Sequence, residues 1–161
     1  MNVTLKSLKK LCAELRKEEK IMQSRINPKK ILQLHKRGLC YFLKDKEDTK
    51  IIGFGALWPT KLEGWYELGT MWVDKNHRCH GSGWKVFEKT IEIAPKESVL
   101  FLVTRSLKVV HMANYHEWEE APLWQNSTQW KKVCEPWDKK PREATRIFPK
   151  EGRLFYHIAL S

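Results

Sequence analysis

The segment between residues 65 and 93 carries residue types that suit the binding of a phosphate. It reads WYELGTMWVDKNHRCHGSGWKVFEKTIEI: an apolar strand pattern gives way to a polar loop and then to Gly81 and Gly83, where a helical pattern begins. Unpaired N–H groups and the dipole at a helix N-terminus attract anions, and glycine lets a phosphate approach the backbone closely. Arg78 could add a charge-assisted contact. An ordinary glycine-rich turn is the competing interpretation.

The loop does not fit the two common phosphate motifs. No Lys-Ser or Lys-Thr pair directly follows these glycines, as it would in a P-loop, and the dinucleotide pattern G-x-G-x-x-G is absent. It fits R/Q-x-x-G-x-G/A instead, and this pattern between a strand and a helix resembles the acyl-CoA motif of the GNAT superfamily of N-acetyltransferases. The resemblance spans roughly residues 51–118. The matching residues are Arg78, Cys79, His80, Gly81, Ser82 and Gly83.

The resemblance implies a fold and a co-substrate. The fold would be α/β (α+β), with a mixed central sheet of about six or seven strands that splays at the CoA site and about four helices around it. Acetyl-CoA would be the co-substrate, with its pyrophosphate on the loop amides and no metal ion involved. The main chain of Met71, Trp72 and Val73 would bind the pantetheine, and Ser106 is a further candidate at the cofactor.

Three side chains are candidates for proton transfer. The family often places a glutamate eleven residues before the Arg or Gln of its loop, and that position is Glu67. Its carboxylate could take a proton from an ammonium before the amine attacks the thioester, and a surface glutamate is the alternative. Ala113 stands where the family often has a tyrosine acid, which leaves His111 and Tyr115 as candidates. Tyr115 would point about 200° around the helix from Ala113.

Periodicity and capping residues predict the elements that position these groups. We expect one domain over residues 1–161, with N-terminal helices on the acceptor side (1–38), a core with the CoA motif (39–118), and C-terminal loops and closing strands (119–161). The predicted helices cover residues 4–22, Asn27-Pro28 to Gly38, Trp84–Ile93 and Leu107–Trp118, and the predicted strands cover Leu39–Leu43, Lys50–Leu57, Trp65–Val73, Val99–Thr104, Trp130–Cys134 and Leu154–Leu160.

Composition excludes several classes of protein. A content of 42% hydrophobic and 30% charged residues excludes disorder, and no run of about 18 apolar residues suggests a membrane helix. The N-terminus has no signal-peptide pattern. Four scattered cysteines without a C-x-x-C pair predict neither a disulfide framework nor a zinc site, and indicate a reducing cytoplasm. The crowding of His77, Cys79 and His80 rarely yields a tetrahedral metal site, so backbone amides are their expected contribution.

Charge widens the choice of partners. The net charge is +11, and the first fifty residues hold 14 basic and 6 acidic side chains. Such an excess attracts polyanions or is a solvated surface. Three functions fit: an N-acetyltransferase whose amine acceptor, a small molecule or a protein, attacks directly in a ternary complex; a non-catalytic acyl-CoA-binding module; or an RNA-directed acetyltransferase acting on aminoacyl-tRNA. An acidic acceptor is expected if Lys29, Lys30, Lys36 and Arg37 border it. A monomer and a homodimer both fit, and no membrane partner is expected.

Overall fold

An α/β arrangement of four helices and an open mixed sheet is found, as the sequence predicts. The computed structural model describes residues 3–18, 23–104, 106–120 and 154–159. The helices are α1 (Leu5–Leu15), α2 (Pro28–Lys36), α3 (Ser82–Glu92) and α4 (Leu107–Tyr115). Two short 3-10 helices cover Gln23–Arg25 and Lys75–His77. The strands are β1 (Cys40–Lys44), β2 (Ile51–Pro59), β3 (Trp65–Val73), β4 (Val99–Thr104), β5 (Glu119–Glu120) and β6 (Leu154–Ala159).

Hydrogen bonding orders the strands β1-β2-β3-β4-β6-β5. β1 pairs with β2 in antiparallel fashion, β3 with β4 in parallel, and β6 lies antiparallel to both β4 and β5. The expectation of six or seven strands is met only in part. Four strands, β1–β4, precede residue 105, and β6 together with β5, which has only two residues, completes the described sheet. The predicted strand Trp130–Cys134 lies outside the described residues.

The chain divides by its contacts into two compact units. The first consists of Met1–Leu57 and Gly69–Ala94, and the second of Trp58–Leu68 and Pro95–Ser161. The first unit therefore contains α1, α2, β1 and α3 with most of β2 and the end of β3, whereas β4, α4, β5 and β6 belong to the second. In neither unit does a described helix have the length and apolar character needed to span a membrane.

Helices α1 and α2 begin and end where the side chains satisfy their terminal backbone groups. Thr4 and Ser7 form a capping box at the start of α1, and the Oδ1 of Asn27 accepts hydrogen bonds from the first turn of α2. Gly38, with a φ of +68°, ends α2 as predicted. The prediction of a helix to residue 22 was wrong for α1, which ends at Leu15. The Arg16 guanidinium there donates to the carbonyl oxygen of Ile26, 3.1 Å away.

Two glycines in β2 bring α3 close to the sheet in the first unit. An added Cβ at Gly55 would lie 2.2 Å from the Oγ1 of Thr90, and one at Gly53 would lie 2.8 Å from a methyl of Val86. Both contacts are too short for a real side chain, so glycine is required by packing at these two positions. The N-terminus of α3 is thereby held at a fixed place next to the end of β3.

The strand β4 and the helix α4 both belong to the second unit. Leu100, Phe101 and Leu102 are buried in succession, as in a strand that is covered on both faces. The prediction that α4 continues to Trp118 was wrong. The N–H groups of Glu117 and Trp118 bond back to the carbonyl oxygens of Asn114 and Ala113, and Glu117 has a φ of +57°. This is a Schellman ending without its usual glycine, which is why the sequence did not reveal it.

Candidate functional site

The strand β3 carries Glu67 and leads into the glycine loop. Its parallel pairing with β4 joins Trp65 to Val99, Tyr66 to Leu100 and Glu67 to Phe101, and β3 then continues to Val73. Thr70 lies in that continuation with a φ of +57°, a conformation that is costly for a β-branched residue. Strained residues of this kind concentrate at functional sites.

Asp74 fixes the loop immediately after β3. Its N–H donates to the carbonyl oxygen of Ile52 at 2.8 Å, and its Oδ1 accepts the N–H of Asn76 at 3.0 Å. Its Oδ2 lies 2.6 Å from the Nζ of Lys50. The hydrogen bond from Lys50 is the main reason that the pKa of the Asp74 carboxyl falls to about 2. Asp74, buried and ionised, therefore links the start of β2 to the loop that follows β3.

The Arg78 side chain turns back onto the protein. Its Nε donates to the carbonyl oxygen of Val73 at 2.8 Å, and its Nη2 lies 2.6 Å from the Oε1 of Glu18, just beyond α1. The sequence suggested a direct contact with a phosphate. In the structure the guanidinium ties the loop to the end of β3 and to Glu18 beyond α1, and its contact with a phosphate stays a prediction.

The loop presents its backbone at the start of α3. Cys79 and Gly81 both have left-handed backbones, with φ values of +69° and +73°. No side chain caps α3 at Gly81, and the first turn contains no acidic residue. Among the described residues, an added Cβ at Gly81 or Gly83 would meet no atom within 4 Å beyond its chain neighbours and the backbone of its own helix. The amides of the first turn thus lie beside open space, the arrangement that a helix N-terminus offers to an anion.

The surroundings of Gly83 test the expectation that CoA binds at this loop. Gly83 has no left-handed φ, and no described residue beyond its chain neighbours and the backbone of its own helix lies within 4 Å of an added Cβ, so nothing in the described part of the chain requires glycine there. A glycine at this position is explained if a ligand approaches the backbone from outside. The helix dipole and the absence of an acidic side chain in the first turn suit a pyrophosphate. The residues present therefore fit the cofactor.

A pocket of about 330 Å³ lies in the first unit, next to the same end of β3. Trp72 contributes its aromatic ring, and charged side chains of both signs surround it. The ion pairs Glu14–Lys17 and Lys50–Asp74 belong to this wall, as does Glu18 with its bond to Arg78. The pocket is lined by Glu14, Lys17, Glu18, Lys50, Trp72, Asp74, Lys75 and Asn76.

The other predicted cofactor residues lie on β3 and at the start of α4. Trp72 and Val73 are buried and Met71 is half-buried. Ser106 occupies the cap position of α4, but its side chain makes no capping hydrogen bond. Its backbone N–H donates to the Oγ1 of Thr104 at 3.0 Å.

Two of the proton-transfer candidates have opposite surroundings. Glu67 is only 4% exposed, so the alternative of a solvated surface glutamate is wrong. A buried carboxylate must be accommodated by specific interactions, and such groups are frequent in active sites. Tyr115, in contrast, is 67% exposed at the end of α4, with its ring against that of His116. Ala113, in the family's tyrosine position, is fully buried.

The cysteines differ in accessibility. Cys79 is exposed in the loop, whereas Cys12 and Cys40 are buried, and burial raises the pKa of the Cys40 thiol to about 12. Among the described residues there is no group of three or more His, Cys, Asp or Glu side chains arranged to hold a metal ion.

Sequence reasoning missed the residues that shape the loop. Asp74, Lys50 and Glu18 were not among the candidates, although Asp74 directly follows β3 and precedes a turn, where aspartate commonly caps backbone amides. Lys50 and Glu18 lie 24 and 60 residues from their partners, and no local pattern signals such contacts.

Comparisons with known proteins agree with this geometry. Structures that share the fold include Rv2747 from Mycobacterium tuberculosis in complex with CoA and NLQ, with a TM-score of 0.71 and 14% identity over 100% of this chain and 98% of that one. A ribosomal-protein-alanine N-acetyltransferase from Brucella melitensis gives 0.64 and 16%, over 99% and 98%. N-acetylglutamate synthase from Neisseria gonorrhoeae, complexed with coenzyme A and N-acetyl-glutamate, gives 0.50 and 13%, over 81% of this chain and 31% of that one.

The sequence itself supplies the family assignment. No curated protein gives a significant match. The family model described as "Acetyltransferase (GNAT) family" matches residues 6–117, which include the loop, β3 and the whole of α4. This match covers well over half of the chain, and the chain therefore belongs to the GNAT acetyltransferase family.

Proposed function

We propose that this protein is an N-acetyltransferase that transfers an acetyl group from acetyl-CoA to a primary amine. The observation that carries the proposal is the loop before α3, where an added Cβ at Gly81 or Gly83 would contact no described residue outside its chain neighbours and its own helix. Family membership supports the class of reaction, and the CoA in two of the neighbours' structures supports the co-substrate.

The loop from Arg78 to Gly83 would hold the pyrophosphate, with the amides of Cys79, His80, Gly81, Ser82 and Gly83 as donors. The main chain of Met71, Trp72 and Val73 would hold the pantetheine, and Ser106 lies at the start of the next helix as a further candidate. Acetyl-CoA, when bound, supplies the acetyl group as an activated thioester. Arg78 supports this site from behind, because its guanidinium bonds to Val73 and Glu18.

Glu67 is the proposed general base. The acceptor arrives mainly as an ammonium, and a carboxylate can remove the proton directly or through one water before the free amine attacks. Because Glu67 is buried, its carboxylate is held in one place by its surroundings, which is what a positioned base requires. Attack in a ternary complex needs no covalent enzyme intermediate.

Tyr115 remains the proposed proton donor to the leaving CoA thiolate. Because its side chain is exposed, its surroundings support this role less than those of Glu67 support the role of base. A thiol has an ordinary pKa of about 8.5, so transfer does not depend on a strong acid. The buried Ala113 in the tyrosine position is the specific observation that favours a second candidate function, a non-catalytic acyl-CoA-binding module.

The neighbours support a first choice of acceptor. One is a complex with CoA and NLQ, one is a ribosomal-protein-alanine N-acetyltransferase, and one is a synthase complexed with N-acetyl-glutamate. We therefore propose an amino-acid-like amine or a protein N-terminus as the first acceptors to test. A cytoplasmic location and a single domain over 1–161 stay predictions.

Thermal unfolding with and without acetyl-CoA tests the cofactor site. Gly81→Asp places bulk and negative charge where the pyrophosphate would lie, and we expect most of the ligand-induced rise in Tm to disappear. Gly64→Asp is the matched control, because Gly64 has a φ of +76° and equally open surroundings in the turn before β3. An undiminished ligand shift in folded Gly81→Asp would contradict the assignment.

Measurements of turnover distinguish an N-acetyltransferase from a non-catalytic acyl-CoA-binding module. Release of the CoA thiol is measured with a panel of amines, followed by the Glu67→Gln variant on the best acceptor. An enzyme shows turnover that falls in this variant while CoA affinity is kept. A module shows CoA affinity without turnover on any amine of the panel.

A further inference from the structure

The two N-terminal helices divide their residues cleanly between an apolar and a basic face. In α1 the buried positions are Leu8, Leu11, Cys12 and Leu15. At 100° per residue these lie opposite Lys6, Lys9 and Lys10, which occupy an arc of about 100°. In α2 the buried Ile31 and Leu34 likewise lie opposite Lys29, Lys36 and Arg37. The exposed cations are called the basic face below: Lys6, Lys9, Lys10, Lys29, Lys36 and Arg37.

The fold itself does not use these charges. Among the residues that the structure describes, none of the six side chains of the basic face has an ion-pair or hydrogen-bond partner, whereas Lys17 pairs with Glu14 and Lys30 bonds to the carbonyl oxygen of Ser24. Residues 3–18 and 23–37 contain ten cationic and only two anionic side chains. Lys6 lies three and four residues from Lys9 and Lys10, a spacing at which like charges destabilise a helix. A polyanionic partner would remove this repulsion.

The composition of the basic face indicates what kind of polyanion fits. The chain contains 18 aromatic residues (8 Trp, 4 Tyr and 6 Phe), and the first forty positions contain none. Protein interfaces depend on aromatic and Arg anchors and are depleted in Lys, and single-stranded nucleic acids are held by aromatic stacking. A membrane surface would need an exposed apolar face, but those of α1 and α2 are buried in the protein.

We propose that the basic face binds the phosphate backbone of double-helical nucleic acid without reading its sequence. Lysine ammonium groups on long side chains suit this role, because backbone contacts need point charges at adaptable positions and no base-edge donors. The site is separate from the glycine loop, and the proposal holds whether or not acetyl-CoA binds there.

Fluorescence anisotropy with a mixed-sequence RNA duplex of about 20 base pairs tests the proposal. Four to six phosphate contacts predict that the logarithm of the affinity falls with the logarithm of salt with a slope of about −4 to −5. Between 50 and 200 mM salt the affinity should then drop by about 200- to 1,000-fold. A slope near zero, or no binding at 50 mM salt, would overturn the proposal.

Two quadruple variants with the same net charge separate the basic face from general charge. Replacing Lys9, Lys10, Lys29 and Lys36 by Gln should reduce the slope by about 3 to 4, one per lost phosphate contact. Replacing the exposed Lys46, Lys61, Lys96 and Lys108 by Gln should leave most of the affinity. Equal losses in both variants would mean that only net charge matters, and would overturn the proposal.

Polyglutamate of matched charge distinguishes a phosphate backbone from an acidic protein. We expect it to bind at least tenfold more weakly than the duplex at 50 mM salt, and equal affinity would overturn the assignment in favour of an acidic protein partner. Gly81→Asp, which tests the cofactor loop, should leave duplex binding unchanged. Failure of the duplex assay and failure of the acetyl-CoA assay are therefore distinguishable.

Discussion

Replacing Gly83 by Ala should stabilise the free protein and weaken the binding of acetyl-CoA. Gly83 is the second residue of α3 and its φ is not left-handed. In the described part of the chain, an added Cβ meets no atom within 4 Å beyond its chain neighbours and the backbone of its own helix. Alanine is better than glycine in a helix by about 0.8–1 kcal/mol in the interior, and by somewhat less near an end. We therefore expect a gain of about 0.5–1 kcal/mol, which raises Tm by about 1–4 °C in a chain of this size.

The effect on the ligand should have the opposite sign. Acetyl-CoA at 100 times its Kd stabilises the folded state by about 2.7 kcal/mol, which corresponds to a rise in Tm of about 5–11 °C. A methyl group at Gly83 occupies the space through which a phosphate would reach the amides. If the Kd increases by about a hundredfold, the same ligand concentration contributes only about 0.4 kcal/mol, or about 1 °C.

Differential scanning fluorimetry and isothermal titration calorimetry measure both effects. Gly64→Ala is the control of opposite sign, because its φ of +76° makes alanine strained, while its position in the turn before β3 should leave the ligand shift intact. Gly83→Ala would then gain stability and lose affinity for acetyl-CoA, whereas Gly64→Ala would lose stability and keep its affinity. A Gly83→Ala protein that keeps the full ligand shift would refute the inference that a ligand requires glycine at this position.

Three further predictions concern catalysis, acid stability and packing. Glu67→Gln should lower turnover by about ten- to a thousandfold, and less at higher pH because more of the amine is already neutral; an unchanged rate and pH profile would make Glu67 a structural residue only. Because the pKa of Asp74 is about 2, its contribution to stability is complete above pH 4 and is lost as the pH falls through 2. Acid unfolding should therefore be flatter across that window in Asp74→Asn, and an identical curve would contradict this. Gly55→Ala should lower the free energy of unfolding, measured by urea denaturation, by about 1–3 kcal/mol because the added Cβ meets Thr90. An unchanged unfolding midpoint would show that α3 can shift without cost.

The sequence predicted the elements whose local signals agree with the tertiary packing. β3 and β4 begin and end at the predicted residues, and α2 begins at Asn27-Pro28 and ends before Gly38 as its capping residues indicate. The ends of α1 and α4 were placed too late. Their apolar spacing continues past the last helical residue, and the left-handed Glu117 that ends α4 carries no glycine signal.

The candidate site was predictable in its backbone and less so in its side chains. Glycines and strand–loop–helix order are local properties, so the loop before α3 could be located from the sequence. The burial of Glu67 and the bond between Arg78 and Glu18 depend on contacts across many residues, which no pattern within one segment contains. The left-handed Cys79 and Thr70 could not be predicted either, because these residue types normally avoid that conformation.

The bonds of Arg78 explain what the first position of the loop pattern requires. The pattern accepts Arg or Gln there, and the two side chains share an N–H donor but not a charge. In this chain the Nε of Arg78 donates to the carbonyl oxygen of Val73, the last residue of β3. A glutamine could make the same kind of bond, whereas only arginine can also pair with the carboxylate of Glu18. The donor to the strand end is thus the property that both residues supply, and the ion pair with Glu18 is an addition that links this loop to the end of α1.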